Sequence, residues 1–537
     1  MNAFAALLDR LSTTAGRKDK LALIQNWLAT TPDPDRGYGL AALTGDLSFR
    51  HAKAGVLRSL ITERSDPTLF ALSYDYVGDL AETVALLWPS PPTPQTANTA
   101  PSLSNVVERL QTAGRTEVPG LVSAWLDSLD EDGRWALLKL LTGGLRVGVS
   151  ARLARLAFAD WAGKPIEQVE EAWHGHAPPY DALFAWAMGT GPAPDSTGSP
   201  AFRPFMLAHP MEPGDQEALD PKDCLIEWKW DGIRAQLADA SGGIKLFSRT
   251  GDDLCAAFPD LVEALRGIDA TVDGELLVRR AHPLDETDDG AMPASFNALQ
   301  QRLNRKTVPA KMLRDSPALL RVYDLLIEAG EDLRPLPLSE RRKRLEVFVA
   351  QNQDRAPWLD LSEPVSLPDW AAIEDLKQRS RALGREGLMV KRLDSPYLAG
   401  RIKGPWFKLK RDPLLVDAVL LYAQRGHGKR SSLYSDFTFG VWQDDRLVTV
   451  GKAYFGFTDA ELAQLDRWVR DHTVDRYGPV RAVEPGLVLE IAFDSIHRSK
   501  RHKSGLAMRF PRIHRLRWDK PAAEADHLET LDALVAD

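Results

Sequence analysis

Cys224-Leu-Ile-Glu227-Trp-Lys229-Trp-Asp231-Gly232-Ile-Arg234 sets a lysine between two acidic residues at alternate positions and closes on a glycine. Residues two apart on a strand share a face. Glu227, Lys229 and Asp231 are therefore expected to point into one cleft, with Gly232 letting the backbone approach a ligand. Taken alone, the string also reads as a surface strand of alternating charge. What lifts it above that reading is the set of strings that follows in order. These are Ser248-Arg249-Thr250-Gly251, Asp273-Gly274-Glu275, Tyr323-Asp324, Glu386-Gly387-Leu388-Met389-Val390-Lys391 and Trp406-Phe407-Lys408-Leu409-Lys410. Each is a strand-like stretch with charge or glycine at its edge.

The chain has 537 residues, enough for about three domains with cores of their own. Its 44% hydrophobic and 26% charged residues are those of a globular protein. No apolar run is long enough to span a bilayer, so no membrane partner is expected. The start, Met1 to Arg10, reads as an amphipathic helix without a basic leader and cleavable apolar segment, and a cytoplasmic location is expected. The two cysteines, Cys224 and Cys255, cannot build a four-cysteine zinc site or a disulfide framework. Net charge is -8, but its distribution matters more than the sum. Between Arg498 and Lys520 stand nine Lys or Arg and one acid, Asp519; Lys377 to Arg411 is also basic. A basic face on an acidic protein suits selective contact with a polyanion.

Three domains are expected: an all-α domain at 1–203, an α+β domain at 204–412 and a small β-barrel at 413–537. In the first, Phe4, Leu7, Leu8 and Leu11 recur at helix spacing, as do Leu21, Ile24 and Leu28, then Val106, Val107, Leu110, Trp125 and Leu126. Pro89–Pro101 reads as a loop and Gly189–Pro200 as an interdomain linker. From Phe205 the period shortens to that of strands at 233–237, 244–247, 271–277, 319–326 and 387–391, with helices at 255–265, 296–303 and 339–349. An acidic stretch, Asp285–Pro293, reads as an exposed loop. After Pro413, strands at 416–423, 434–441, 447–454 and 487–493 and one helix at 459–470 fit a barrel of five or so strands.

A lysine attacks covalently only when deprotonated, which burial or nearby positive charge promotes. Lys391, Lys408 and Lys410 are candidates for that charge and for clamping phosphate oxygens. Lys408 and Lys410, two apart, share a strand face. Glu227 and Asp231 would position the base and sugar of a nucleotide and help bind a cation. Asp273, Glu275 and Glu386 add carboxylates, the ligands magnesium prefers, and Tyr323 could stack on a purine. Together these residue types suit transfer of a nucleotidyl group onto lysine, with cations stabilising the developing charge.

The ordered set resembles the covalent nucleotidyltransferase superfamily, and over essentially the whole chain an ATP-dependent DNA ligase. The resemblance implies a helical DNA-binding domain, an ATP-grasp-like ligase nucleotidyltransferase domain and a C-terminal OB-fold. It implies ATP and Mg²⁺ as cofactors, and a monomer acting on nicked duplex DNA in repair, replication or recombination, nucleoid-associated when on DNA. Protein partners are left open. By resemblance Lys229 is the adenylated nucleophile, and Glu227, Arg234 and Arg249 contact the nucleotide, Arg249 also the 5′-phosphate at the nick. Glu275 and Glu386 serve ribose and metal, Tyr323 stacks on adenine, and Lys408 and Lys410 grip the α-phosphate. Arg509-Phe510-Pro511-Arg512, with Lys520, resembles the motif that orients pyrophosphate. Leu137 to Val149 is similar to a stretch of the helical DNA-binding domain. There Gly143, Gly144 and Gly148 would bring a helix end close to the phosphate backbone and Arg146 would bind it. Arg498, Lys500 and Lys503 complete the expected DNA contacts. The resemblance departs at two places: Trp230 stands where relatives commonly carry tyrosine, and Tyr323 where many carry phenylalanine.

Two cysteines exclude the zinc finger of NAD-dependent ligases, so ATP is the expected donor. The long helical region points away from capping enzymes, and the basic tail from small-molecule adenylating enzymes. An RNA ligase, and a nucleic-acid-binding module without catalysis, are the alternatives.

Overall fold

In the computed structural model the described residues are 1–89, 100–173, 176–194, 200–279, 296–303, 305, 307–354, 356–425, 433–499 and 502–535. The expected loop at Pro89–Pro101 and linker at Gly189–Pro200 lie partly outside them, and Asp285–Pro293 wholly so. Two compact units are present: Met1–Trp161 together with Pro413–Asp537, and Ala162–Asp412.

The described segments within 2–161 form helices because apolar side chains recur on one face of each. Helix Asn2–Thr13 buries Phe4, Leu7, Leu8 and Leu11, and Leu103–Thr112 buries Val106, Val107 and Leu110 behind a Ser102 cap. Helix Glu131–Thr142 starts on an Asp130 cap and stops at Gly143. Its Lys139 is buried against Asp79 at 2.7 Å and Glu82 at 3.4 Å, tying it to helix Leu80–Leu87. The loop that follows is held from inside: Lys20 Nζ donates to the carbonyls of Val147 (2.6 Å) and Gly148 (3.1 Å). No helix among the described residues is long and apolar enough to cross a membrane.

The 162–412 unit opens with helices Ile166–Trp173 and Asp181–Ala187. Its strands are β1 (His209–Pro210), β2 (Cys224–Lys229), β3 (Ile233–Ala240), β4 (Gly243–Ser248), β5 (Ala270–Val278), β6 (Ala318–Glu328), β7 (Glu331–Asp332), β8 (Leu359–Leu361), β9 (Gly387–Arg392) and β10 (Trp406–Lys410). They form two sheets. One has the order β4-β3-β5-β6-β7 with β8 beside β6, and the other β1-β10-β9-β2. Helices Pro259–Ala264, Phe296–Leu303 and Leu338–Asn352 cover the first through Leu261, Leu299, Leu345 and Phe348. Ile373 and Leu376 of helix Trp370–Arg379 cover the second. The helix expected at 255–265 starts only at Pro259, because Pro fits the first helical turn and disfavours helix in the residue before it. The chain passes from one sheet to the other between β2 and β3, at Trp230-Asp231-Gly232, and this crossing places the site.

The C-terminal strands are β11 (Leu414–Arg425), β12 (Tyr434–Gln443), β13 (Arg446–Ala453), β14 (Thr473–Tyr477), β15 (Val480–Val483), β16 (Val488–Phe493), β17 (Ser495–Arg498), β18 (Leu506–Arg509) and β19 (Arg512–Arg517). Seven of them form one sheet, β13-β12-β11-β15-β14 with β16 joined to β11 and β19, and β17-β18 is a separate ribbon. The long β11 serves two neighbourhoods, β16 along Leu414–Val419 and β15 along Tyr422–Gln424, which curls the sheet into a half-barrel. The expected five or so strands are an undercount: β14, β15 and β17–β19 are short and rich in charge, without a clean apolar alternation to announce them. Helix Asp459–Asp471 packs Leu462, Leu465 and Val469 into this core behind a Thr458/Glu461 capping box.

Candidate active site

A cavity of about 400 Å³ lies in the 162–412 unit and is lined from both sheets, a size typical of small-molecule sites. Lys229, the last residue of β2, reaches into it half-buried and its ammonium donates to the Glu386 carboxylate. The backbone binds the same two residues together: Glu386 N–H donates to Lys229 C=O at 2.9 Å. Register then brings Gly387 opposite both Lys229 and Lys410. Lys410 Nζ stands 4.0 Å from the same Glu386 carboxylate. From β5, Glu275 enters the opposite side. Burial pushes its carboxyl up to about 8, Lys229 pulling it down and Glu386 reinforcing the rise. Burial and the charges of Arg401, Lys410, Lys229 and Arg249 together lower the Lys408 ammonium. Arg249 is lowered by burial, Arg234 and Arg401. Among the described residues lining the cavity are seven cationic side chains against three carboxylates. Such a space stabilises a bound polyanion.

The alternation reading holds for Glu227 and Lys229, which both line the cavity, but not for Asp231, which does not. β2 ends at Lys229 and the chain turns, so the period of two stops there. Gly232 lines the cavity and also packs closely on the protein: a Cβ on it would lie 2.5 Å from Leu276 O and 2.8 Å from Glu275 Cγ. Glu227 is buried in ion pairs with Lys391 (2.5 Å) and Arg342 (3.1 Å). Lys391, expected to act on Lys229, is thus committed to Glu227 and lies over the rings of Tyr323 (4.3 Å) and Trp406 (4.5 Å). Arg234 lines the cavity, yet its guanidinium is bound to Asp273 (2.6 Å) and Met206 C=O (2.6 Å). Asp273, fully buried, also accepts from Tyr397 Oη at 2.7 Å and is an internal anchor, not a cavity carboxylate. Tyr323 lines the cavity. Arg401 does too, and sequence reasoning did not single it out; its only signal was membership of the basic stretch Lys377–Arg411.

The remaining expected residues belong to the other compact unit. Arg146 is exposed with φ 49°, next to the loop that Lys20 holds at Gly148. In the C-terminal sheet Arg512 pairs with Asp494 (3.2 Å), Lys520 with Asp417 (2.8 Å) and Arg498 with Asp532 (2.5 Å). Arg509 lies with its guanidinium 5.2 Å from the Phe510 ring. Lys503 is exposed, and Lys500 lies outside the described residues.

Two sheets enclosing a strand-end lysine, faced by carboxylates and ringed by cations, define a nucleotidyltransferase domain. Residues 205–410 match the ATP dependent DNA ligase domain family, and 430–520 the ATP dependent DNA ligase C terminal region. A probable DNA ligase of Koribacter versatilis (strain Ellin345) is 30% identical, covering 99% of this chain and 96% of its own. A probable DNA ligase of Anaeromyxobacter sp. (strain Fw109-5) is 32% identical, covering 98% and 96%. The solved structure Pmar-Lig_Pre shares the fold, with a TM-score of 0.60 at 16% identity over 96% of this chain and 99% of that one. The chain belongs to the ATP-dependent DNA ligases, whose reaction is nick sealing through an adenylate intermediate.

Proposed function

We propose that Lys229 is the nucleophile and that the chain joins a 3′-hydroxyl to a 5′-phosphate in nicked duplex DNA. The observation that carries this is the Lys229 amine at the cavity, gripped through side chain and backbone by Glu386 and surrounded by excess positive charge. In the first step Nζ attacks the α-phosphorus of ATP, the P–N bond forms and pyrophosphate leaves. Glu386, already accepting from Nζ, is placed to take the proton. Lys408 and Lys410 balance charge on the α-phosphate. Glu227, Arg234 and Arg249 serve the nucleotide, Arg249 also the 5′-phosphate, and Tyr323 the base. AMP then passes to the 5′-phosphate of the nick, and the 3′-oxygen displaces it.

Glu275 and Glu386 are the carboxylates fitted to hold Mg²⁺. Their proximity helps raise the Glu275 carboxyl, and a divalent cation between them would relieve that repulsion. No cluster of three His, Cys, Asp or Glu exists among the described residues, so phosphate and water would complete the hard-cation shell. Bound there, Mg²⁺ would offset charge on the triphosphate. The half-barrel is read as an OB-fold in which Arg509, Arg512 and Lys520 orient pyrophosphate. Arg146, the Gly148 loop, Arg498, Lys500 and Lys503 are read as DNA contacts of a monomer.

Mixing the protein with labelled ATP and Mg²⁺ tests this: label should survive denaturation, map to Lys229 and vanish in Lys229→Ala. Label on another residue would end the assignment. GTP and NAD run in parallel should label poorly, and a DNA nick should be sealed far better than an all-RNA nick.

A further inference from the structure

The residue after the nucleophile is a tryptophan in an unusual setting. Trp230 is 8% exposed, and the guanidinium carbons of Arg321 and Arg385 lie 4.0 and 4.1 Å from its ring centroid. Bringing two like charges to one buried ring is costly for a residue needed only to pack against Leu277 and Leu319. Each cation–π contact contributes about 2 kcal/mol when desolvated. Asp360 meets the Arg321 charge. Burial and Arg321 lower Arg385 to about 10.

A polar network reaches the same ring. The indole N–H donates to Ser362 Oγ at 3.0 Å, and Ser362 C=O accepts from Arg342 Nη1 at 2.8 Å. That same Nη1 donates to Glu227 Oε1 at 3.1 Å. The residues two before and one after Lys229 are thus tied to one Ser362–Arg342 pair. Arg385, in turn, is bonded in sequence to Glu386, which holds Lys229 by main chain and side chain. β2 pairing stops at Lys229, so beyond it no strand ladder fixes the backbone.

We propose that Trp230 is a positioning residue: clamped by Arg321, Arg385 and Ser362, its indole takes over where strand pairing ends and fixes the backbone that aims Lys229 at the nucleotide. This rests on Lys229 being the nucleophile. It makes Arg321 and Arg385 supports of adenylation, and gives the indole N–H a role that a phenyl ring cannot fill.

Full-length Trp230→Leu, Trp230→Phe and Arg385→Met are compared in two assays. The first is the single-turnover rate of lysine–AMP formation at saturating ATP. The second is sealing of a nick supplied with a 5′-adenylate, a step that does not use Lys229 as nucleophile. Misplacement by about 1 Å costs on the order of 100-fold. Trp230→Leu should therefore slow lysine–AMP formation by about that factor while ATP affinity stays within about threefold, and slow the second assay at least tenfold less. Trp230→Phe and Arg385→Met should fall between. Equal slowing of both assays, or an unchanged adenylation rate in Trp230→Phe and Arg385→Met, overturns the proposal, and these two variants decide it if Trp230→Leu does not fold. Wild-type label mapping elsewhere than Lys229 would instead overturn the functional reading.

Discussion

Gly387→Ala should damage both fold and chemistry, and its effect can be worked from the register. Gly387 sits at the junction of three strands, opposite Lys229 on β2 and Lys410 on β10. Its φ of +135° is a conformation L side chains rarely adopt, and a Cβ there would lie 2.0 Å from Leu409 O and 3.0 Å from Lys410 Cα. Those are strand backbone atoms and cannot rotate aside, so β9 and β10 must part by roughly 1 Å. Backbone strain of this kind costs ~1–3 kcal/mol and overpacking ~1–3 kcal/mol, together ~2–6 kcal/mol. That is a large part of the ~5–15 kcal/mol stabilising a domain. Hydrogen exchange at Leu388–Lys391 and Phe407–Lys410 reads the local opening free energy. It should quicken at least about thirtyfold, since ~1.4 kcal/mol is tenfold. Lysine–AMP formation should fall on the order of 100-fold, because Lys229 and Lys410 are displaced together. Exchange within about threefold of wild type alongside normal adenylation would refute the reasoning.

Three further perturbations have worked directions. Burial raises the Glu275 carboxyl to about 8 from an ordinary 4.5, so the native state binds the extra proton between those values. Stability in metal-free buffer should fall as pH rises across that window, and Glu275→Gln should flatten the loss, of about 3–4 kcal/mol, in urea titrations at pH 5 and 8. Burial pushes the Asp79 carboxyl up, but Lys139 and the Glu82 N–H hold it below its ordinary 3.8. Its stabilisation is present above that value and lost as pH falls through the lowered one. Asp79→Asn, which keeps a cap, should therefore melt earlier at pH 7 by about 1–3 kcal/mol and converge with wild type in strong acid. Arg146→Ala should weaken nick binding uniformly across sequences and reduce the slope of log affinity against log salt by about one, leaving lysine–AMP formation intact.

The cavity was legible where the chemistry sits on strands of regular period. Lys229, Lys408 and Lys410 face it because β2, β9 and β10 pair side by side, and Glu386 joins them from just before β9 through its backbone bond to Lys229. Reading was incomplete where a strand stopped or a partner came from far away. Asp231 lies past the end of β2, and no local pattern marks that end. Lys391 and Arg234 look like free cations in sequence, yet Glu227 and Asp273 claim them across 164 and 39 positions. Such pairings follow from sheet register, which periodicity cannot supply. Trp230 is the sharpest case: its neighbours Arg321, Ser362 and Arg385 come from three separate segments, so nothing local reveals the clamp.

The two basic regions separate by where their counter-charges come from. In the cavity, cations outnumber carboxylates among the described residues even after Glu227 is spent on Lys391 and Arg342 and Arg234 is held by Asp273, an excess that suits a bound anion. In the C-terminal sheet, acids from outside the run answer it: Asp417 holds Arg517 and Lys520, Glu490 holds Arg515, Asp494 holds Arg512 and Asp532 holds Arg498. The density of Lys and Arg between 498 and 520 therefore overstates the local potential. The exposed Arg498–Asp532 pair is worth only ~0–1 kcal/mol, so a phosphate backbone releasing counterions can displace that acid. Contacts made by such exchange would be weak and salt-sensitive one at a time. The cavity holds Lys229, Arg234, Lys391, Lys408 and Lys410 on strands drawn from two sheets, which suits oriented anion binding, and the proposed chemistry is assigned there for that reason.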